Sequence, residues 1–180
     1  MLTDRIVGAF TFRSEVYAEV ETDTDFTTTA WIIVAAVAFL NAFGATEGSI
    51  VGAIAGTAVA LIGFAAFAFV VDFLARSLFR AEVTFSELVR TLGLAYVWRV
   101  VGLLAIVGAL GFLVQLGSLL SLIASFIAVK EAVDLEWVQT IVTVVIGWIV
   151  LALIVAVVGS LVVGAILGTA VGLGVLGGIF

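Results

Sequence analysis

The chain has 180 residues, of which 64% are hydrophobic and only 11% are charged, and its formal net charge is −6. A soluble domain of this length needs far more polar surface, so the composition excludes an ordinary soluble protein and indicates an integral membrane protein. The chain has no His and no Cys, which removes the commonest catalytic and metal-binding side chains from a buried site. We therefore expect no enzyme activity, no bound metal and no cofactor.

The first 26 residues are expected to form a cytoplasmic arm ahead of the membrane. Apolar side chains recur at helical spacing through residues 2–20, which predicts an amphipathic helix at the membrane interface. Its acidic residues make it a poor ligand for anionic lipid, so docking against the bundle is favoured over lipid sensing. Glu21, Asp23 and Asp25 then form a solvated acidic linker that could attract a basic partner surface.

Uncharged runs follow, and about 20 apolar residues are enough to cross a bilayer core of roughly 30 Å. The expected spans are residues 27–45, 49–71, 92–114, 117–129 and 138–158. The first two form a helical hairpin, and a tight turn at Gln115 and Gly117 precedes the short fourth span. The sequence therefore predicts an all-α, polytopic transmembrane helical bundle of about five spans over residues 27–160.

The C-terminal run, residues 137–180, carries no charge and is too long for a single crossing. We expect it to break at Gly159 and Ser160. The Gly-rich hydrophobic segment 161–180 would then span the membrane as a sixth helix, re-enter it or lie at its surface, and the sequence leaves these alternatives open.

The basic residues outside the uncharged runs predict the orientation of the bundle. Arg5 and Arg13 precede the first span, Arg76, Arg80 and Arg90 lie between the second and third, and Lys130 lies between the fourth and fifth. By the positive-inside rule, the N-terminus and these two connections face the cytoplasm. Trp31 and Trp137, at the starts of the first and fifth spans, are expected to be interfacial anchors on that side.

The connection between the second and third spans carries a helix-start signal. Thr84 and Glu87 match a capping box, so a helix is expected to begin at Thr84. Asp72 with Arg76, and Glu87 with Arg90, are spaced to form ion pairs along their helices. Arg99 either extends toward the headgroups or is an intramembrane charge, and the first alternative is favoured.

Small residues repeat every fourth position in two places, at Gly48, Gly52 and Gly56 and again at Gly164, Gly168 and Gly172. This spacing lets two membrane helices approach closely. We expect both rows to be helix-packing faces, with packing inside the bundle favoured over contact between subunits. They do not form a phosphate-binding loop, because neither a preceding strand nor a following Lys is present.

Three segments together resemble a known family. Residues 84–96 read TFSELVRTLGLAY, residues 128–135 read AVKEAVDL and residues 12–17 read FRSEVY. They are similar to prokaryotic members of the Yip family, the Ypt/Rab-interacting membrane proteins. The resemblance implies about five spans with a cytoplasmic N-terminus, and in eukaryotic members it implies binding of Rab-type GTPases. That family often has a proline after the aromatic at the start of the third span, whereas Val97 follows Tyr96 here.

These observations predict a non-catalytic integral membrane scaffold or adaptor of the Yip type in the prokaryotic cytoplasmic membrane. Its cytoplasmic loops would bind a protein partner, and the candidate partner-binding residues are Arg76, Arg80, Glu87, Arg90, Lys130 and Glu131. The expected partners are the lipid bilayer and either a membrane protein or further copies of the chain, but not nucleic acid. The alternatives are an accessory subunit of a larger membrane complex and a small-solute channel or transporter.

Overall fold

A computed structural model describes residues 1–153 and 156, and these residues form helices and short connections. The helices are α1 (Leu2–Phe10), α2 (Ser14–Thr22), α3 (Phe26–Ala45), α4 (Ile50–Phe79), α5 (Phe85–Ala95), a 3-10 segment (Tyr96–Ile106) with a short continuation (Gly108–Leu110), α6 (Gly111–Val133) and α7 (Trp137–Leu153). The predicted break at Gly159 and Ser160, the row Gly164, Gly168 and Gly172, and segment 161–180 lie outside the described residues.

Four stretches are long and apolar enough to cross a membrane: Phe26–Ala45, Ile50–Phe79, Phe85–Ile106 and Gly108–Val133. The shorter helix α7 is also apolar. This architecture confirms the predicted all-α helical membrane bundle. At about 1.5 Å per residue, the 30 residues of α4 extend about 45 Å, so its last turns project beyond a bilayer core and carry Asp72 and Arg76 outside it.

The turn between α3 and α4 lies where the sequence predicts it. Glu47 and Gly48 both have positive φ, 54° and 85°, which closes the connection tightly and which Gly adopts without strain. The Ser49 hydroxyl then accepts a hydrogen bond from the Gly52 amide at 3.1 Å and starts α4. The two helices therefore form the expected hairpin.

The turn expected at Gln115 and Gly117 is wrong, because both residues lie inside α6. The chain turns earlier, around residues 107–110. Gly117 serves close packing instead: a Cβ at this position would lie 2.7 Å from the Cβ of Val101 in the 3-10 segment. A glycine that permits two helices to approach was therefore mistaken for a turn residue.

The third crossing is the most buried of the four, since over half of its most apolar stretch is buried, against a third or less in the others. It changes from α to 3-10 geometry at Tyr96, where no proline is present. The 11 residues of the 3-10 segment extend about 22 Å, because this geometry rises about 2.0 Å per residue. The third crossing therefore reaches farther than an α-helix of the same number of residues.

The N-terminal arm, residues 1–26, is a helical hairpin rather than one continuous helix over residues 2–20. Phe12 adopts a left-handed conformation, with φ of 56°, and Gly8 allows α1 to pack closely against Val16 of α2. The hairpin lies along the bundle, where the Trp98 indole donates to the Ala9 carbonyl at 3.3 Å. Rings of the arm pack on the same indole, with Phe10 at 5.0 Å between centroids. The arm is thus docked, as its amphipathic pattern favoured.

Candidate partner-binding surface

The charges of the molecule are strongly segregated. Every charged residue except Glu47 and Arg99 lies in the arm, in the connections 80–84 and 134–136, or in the helix turns that adjoin them. We call this region the charged end. The opposite or distal end consists of the connections around residues 46–49 and 107–110. This asymmetry makes the charged end the candidate interaction surface.

Arg90 is the buried centre of the charged end, with only 4% of its surface exposed. Its Nε donates to the carbonyl oxygens of Val20 and Glu21, both at 2.9 Å, and Nη2 also donates to Glu21. Nη1 donates to the Thr27 hydroxyl at 3.3 Å. Arg90 therefore holds the linker between α2 and α3 against α5. In this conformation it is not available to a partner, contrary to its predicted role.

Glu87 and Thr84 form the predicted capping box. The Thr84 amide donates to Oε2 of Glu87 at 2.7 Å, and the Glu87 amide donates to the Thr84 hydroxyl at 3.3 Å. Both orphan amides at the start of α5 are thereby satisfied. The predicted ion pair between Glu87 and Arg90 does not form, because Glu87 is directed to the cap and Arg90 to the arm.

Arg76 and Arg80 lie close in sequence but differ in role. Arg76 Nε donates to Oδ1 of Asp72 at 2.8 Å, which is the predicted pair, and Nη2 donates to the Val83 carbonyl. Arg76 thus links the end of α4 to the connection that precedes α5. Arg80 ends α4 with φ of 55°, is exposed, and has no side-chain hydrogen bond or ion pair among the described residues. Both residues are exposed, but only Arg76 is already paired within the described structure.

Lys130 and Glu131 lie in the last turn of α6, 3.8 Å apart from nitrogen to oxygen. The Lys130 ammonium also lies 5.5 Å from the ring centroid of Trp137, which is half exposed at the start of α7. An open groove of about 510 Å³ adjoins Lys130, Asp134 and Trp137. Trp31 differs from Trp137, because it is partly buried and packs edge-on against Phe64.

Acidic groups from three elements converge at the charged end. Burial raises the pKa of Glu21, and the carboxylates of Asp134, Glu87 and Glu131 raise it further, while Arg90 partly opposes them. The linker, the start of α5 and the end of α6 therefore share one electrostatic environment. A cationic group that approaches this region would be attracted by several carboxylates at once.

Ion pairs stabilise the arm itself. Arg5 Nη2 lies 2.6 Å from Oε1 of Glu19, and Nη1 lies 2.8 Å from Oδ2 of Asp23. The hydrogen bond from Arg5 lowers the pKa of the Asp23 carboxyl below its ordinary value. The same guanidinium lies 5.0 Å from the ring centroid of Phe26. These contacts close α1 against α2 and the start of α3.

The remaining exposed charges are mostly acidic. At the charged end, those without a side-chain hydrogen bond or ion pair to any described residue are Arg13, Arg80, Glu15, Asp25, Glu82, Asp134 and Glu136. Acidic groups therefore outnumber basic ones in the part of this surface that is free to meet a partner. Among the described residues, no three Asp or Glu side chains are arranged to hold a metal ion.

The first glycine row packs inside the bundle. A Cβ on Gly52 would lie 2.8 Å from the Cβ of Thr46, and one on Gly56 would lie 2.7 Å from the Cβ of Ala42, so both face α3 and its end. Gly48 belongs to the turn instead. The face predicted for helix packing is thus already occupied by this chain.

Other close contacts were not identified from the sequence. A Cβ on Gly93 would lie 2.9 Å from the Cβ of Ala30, and Gly44 packs against the Gly102 carbonyl. Gly93 is isolated, so no four-residue repeat marked it, whereas Gly44 lies four residues before Gly48 and was not counted with that row. Arg99, whose place was left open, is half-buried and its Nη1 donates to the Tyr96 hydroxyl at 3.2 Å.

Comparisons with known proteins agree with the fold and with the resemblance of the three segments. Searches of curated proteins and of solved structures gave no match. The family model described as the Yip1 domain matches residues 7–159, which include most of the arm, the four apolar crossings and α7. The chain therefore belongs to the Yip1-domain family of membrane proteins.

Proposed function

We propose that the chain is a non-catalytic membrane scaffold or adaptor of the prokaryotic cytoplasmic membrane, whose charged end faces the cytoplasm and binds a protein partner. The observation that carries the proposal is the docked arm. Arg90 joins the arm to α5, and this contact assembles the arm and the adjacent connections into one preformed surface. A surface that is ordered before binding loses less conformational entropy when a partner docks.

The charge of this surface supports a basic partner face. Glu82, Asp134 and Glu136 are exposed and have no side-chain partner among the described residues, while the pairs within the arm are already satisfied. Complementary charge speeds association and selects partners more than it adds affinity. The positive-inside distribution of Arg and Lys supports the cytoplasmic orientation.

The packing of α4 supports the same location for the partner. Gly52 and Gly56 already contact α3, so a partner helix could use this row only if α3 moved away. We therefore place the adaptor contact at the charged end rather than on the glycine face.

The test is purification of the tagged chain from its native membrane in mild detergent, with mass spectrometry of proteins that accompany it at constant stoichiometry. The variant Glu82→Lys/Glu136→Lys should retain the partner about tenfold less well, since each tenfold corresponds to about 1.4 kcal/mol. The matched control, Glu47→Lys, changes a distal charge and should retain the partner fully. Recovery of the wild-type chain alone, or equal release by the control, would refute the proposal.

A further inference from the structure

Arg99 is far from the other charged residues in the sequence. It is in the 3-10 segment, and no other charged residue occurs between Arg90 and Lys130. Its Nη1 donates to the Tyr96 hydroxyl, and its guanidinium stacks over the same ring at 5.1 Å. An Arg side chain has five N–H donors, so most of them have no partner among the described residues.

Arg99 lies close to the docked arm. It directly follows Trp98, whose indole donates to the Ala9 carbonyl and packs on Phe10. Its guanidinium extends back to the Tyr96 hydroxyl, three residues nearer the charged end. An Arg that extends in this way can carry its charge toward the lipid headgroups while its backbone lies in the apolar part of the bundle.

A cavity of about 140 Å³ adjoins Arg99. Its lining includes the side chains of Ser121 and Ser125 from α6 and of Trp148 from α7. The Ser121 hydroxyl donates to no acceptor among the described residues, whereas the Trp148 indole nitrogen is fully buried and does not face the open space. Two kinds of donor therefore meet at one cavity: a guanidinium and a hydroxyl.

A second, open groove of about 640 Å³ shares Arg99, Ser121 and Trp148 with the cavity. Away from these residues it is mainly apolar, with Leu122 and Phe126 among its lining side chains. The cavity has less than a quarter of the volume of the groove, so it suits a phosphate or carboxylate group better than an acyl chain. The groove is where an attached chain can lie.

We propose that Arg99 is the anchor of a binding site for an anionic lipid, whose phosphate or carboxylate oxygens lie in the cavity and whose acyl chain lies along the groove. The planar guanidinium can donate two parallel hydrogen bonds to such an oxyanion. The Ser121 hydroxyl supplies a further donor. No carboxylate of the chain pairs with Arg99 among the described residues, so the lipid provides the missing negative charge. This site is separate from the proposed adaptor surface and does not depend on it.

The test is native mass spectrometry of the whole chain after transfer from detergent into nanodiscs of equal phosphatidylglycerol and phosphatidylcholine. The wild type should retain one phosphatidylglycerol with about tenfold preference over phosphatidylcholine, as expected for a charge-assisted bidentate contact. Arg99→Gln should abolish the preference and Arg99→Lys should keep part of it. The control Arg80→Gln removes the same charge from the charged end and should leave the preference unchanged.

Two further measurements test the proposal. If Arg99→Gln does not fold by circular dichroism, the milder variant Ser121→Ala should still lower the preference several-fold, because it removes a neutral donor. Millimolar inorganic phosphate should not displace the lipid, since it lacks the chain that lies in the groove. Equal retention of both lipids by the wild type, an unchanged preference in Arg99→Gln or the milder variant, or displacement by phosphate would overturn the lipid assignment.

Discussion

Replacing Arg90 with Met tests whether one buried side chain docks the arm. The guanidinium donates to two carbonyl groups, of Val20 and Glu21, and to the Thr27 hydroxyl. Met keeps a long apolar stem and a good helix propensity, so the change removes these hydrogen bonds with little loss of packing in α5. The variant therefore isolates the polar contact between the arm and the bundle.

The expected loss follows from the number and kind of hydrogen bonds. A hydrogen bond that involves a charged group contributes about 1.5 to 3 kcal/mol to stability. The contributions of bonds in one network do not add fully, and water can replace some of the partners at the charged end. We expect about 3 kcal/mol to be lost from arm docking. Since each 1.4 kcal/mol is a factor of ten, the undocked arm should become about 100-fold more populated.

Hydrogen exchange of the α2 amides measures this directly, because undocking exposes them and local opening sets their protection. In nanodiscs, Arg90→Met should lower the protection of Ser14–Thr22 about 100-fold while α3 and α4 stay protected. Arg80→Met is the matched control, since Arg80 is exposed and has no side-chain partner in the described structure. Unchanged α2 protection in Arg90→Met, or an equal loss in the control, would refute the role assigned to Arg90.

Three further predictions concern packing, charge and capping. Gly93→Leu should destabilise the bundle by about 1 to 3 kcal/mol in thermal unfolding followed by circular dichroism, because the new Cβ would meet Ala30. The control Gly63→Ala should not destabilise it, since a Cβ there has no atom within 4 Å. Equal melting temperatures of the two variants would contradict the α3–α5 contact. Burial and nearby carboxylates raise the pKa of Glu21, so its charge weakens arm docking near pH 7 and protonation strengthens docking as the pH falls toward 4.5. Spin-label distances should therefore show more docked arm in Glu21→Gln than in the wild type at pH 7 and a smaller difference at low pH; an identical pH dependence would exclude Glu21 as the cause. Thr84→Ala should cost about 1 kcal/mol in the same thermal measurement, and no change would mean that the capping box does not stabilise α5.

The fold class could be predicted from the sequence because the length of an apolar run and the cap of a helix depend only on residues close in sequence. The α3–α4 hairpin and the capping box at Thr84 depend on residues close in sequence, and both are present. The turn at Gln115 and Gly117 was wrong because a glycine inside an apolar run fits a turn and a close helix contact equally well. Only the position of Val101 on another helix decides between them.

The candidate surface was predicted in composition but not in geometry. Arg90 was predicted to pair with Glu87, since their spacing suits a helical ion pair, and to be a candidate partner-binding residue. Its actual acceptors, Val20 and Glu21, are about 70 residues away in the chain, and backbone carbonyls leave no pattern in a sequence. Arg99 was likewise unresolved, because the cavity beside it is built from α4, α6 and α7 and exists only in the folded bundle.

The orientation of the charged end can be measured with single cysteines, which the natural chain lacks. Ser86→Cys places a thiol at the charged end, and Ala45→Cys and Gly108→Cys place thiols at the distal end, where a Cβ on Gly108 meets no atom within 4 Å. In right-side-out membrane vesicles, a membrane-impermeant maleimide should label the two distal cysteines at once and Ser86→Cys only after the vesicles are permeabilised. Labelling of Ser86→Cys in sealed vesicles would place the charged end outside and contradict a cytoplasmic adaptor surface.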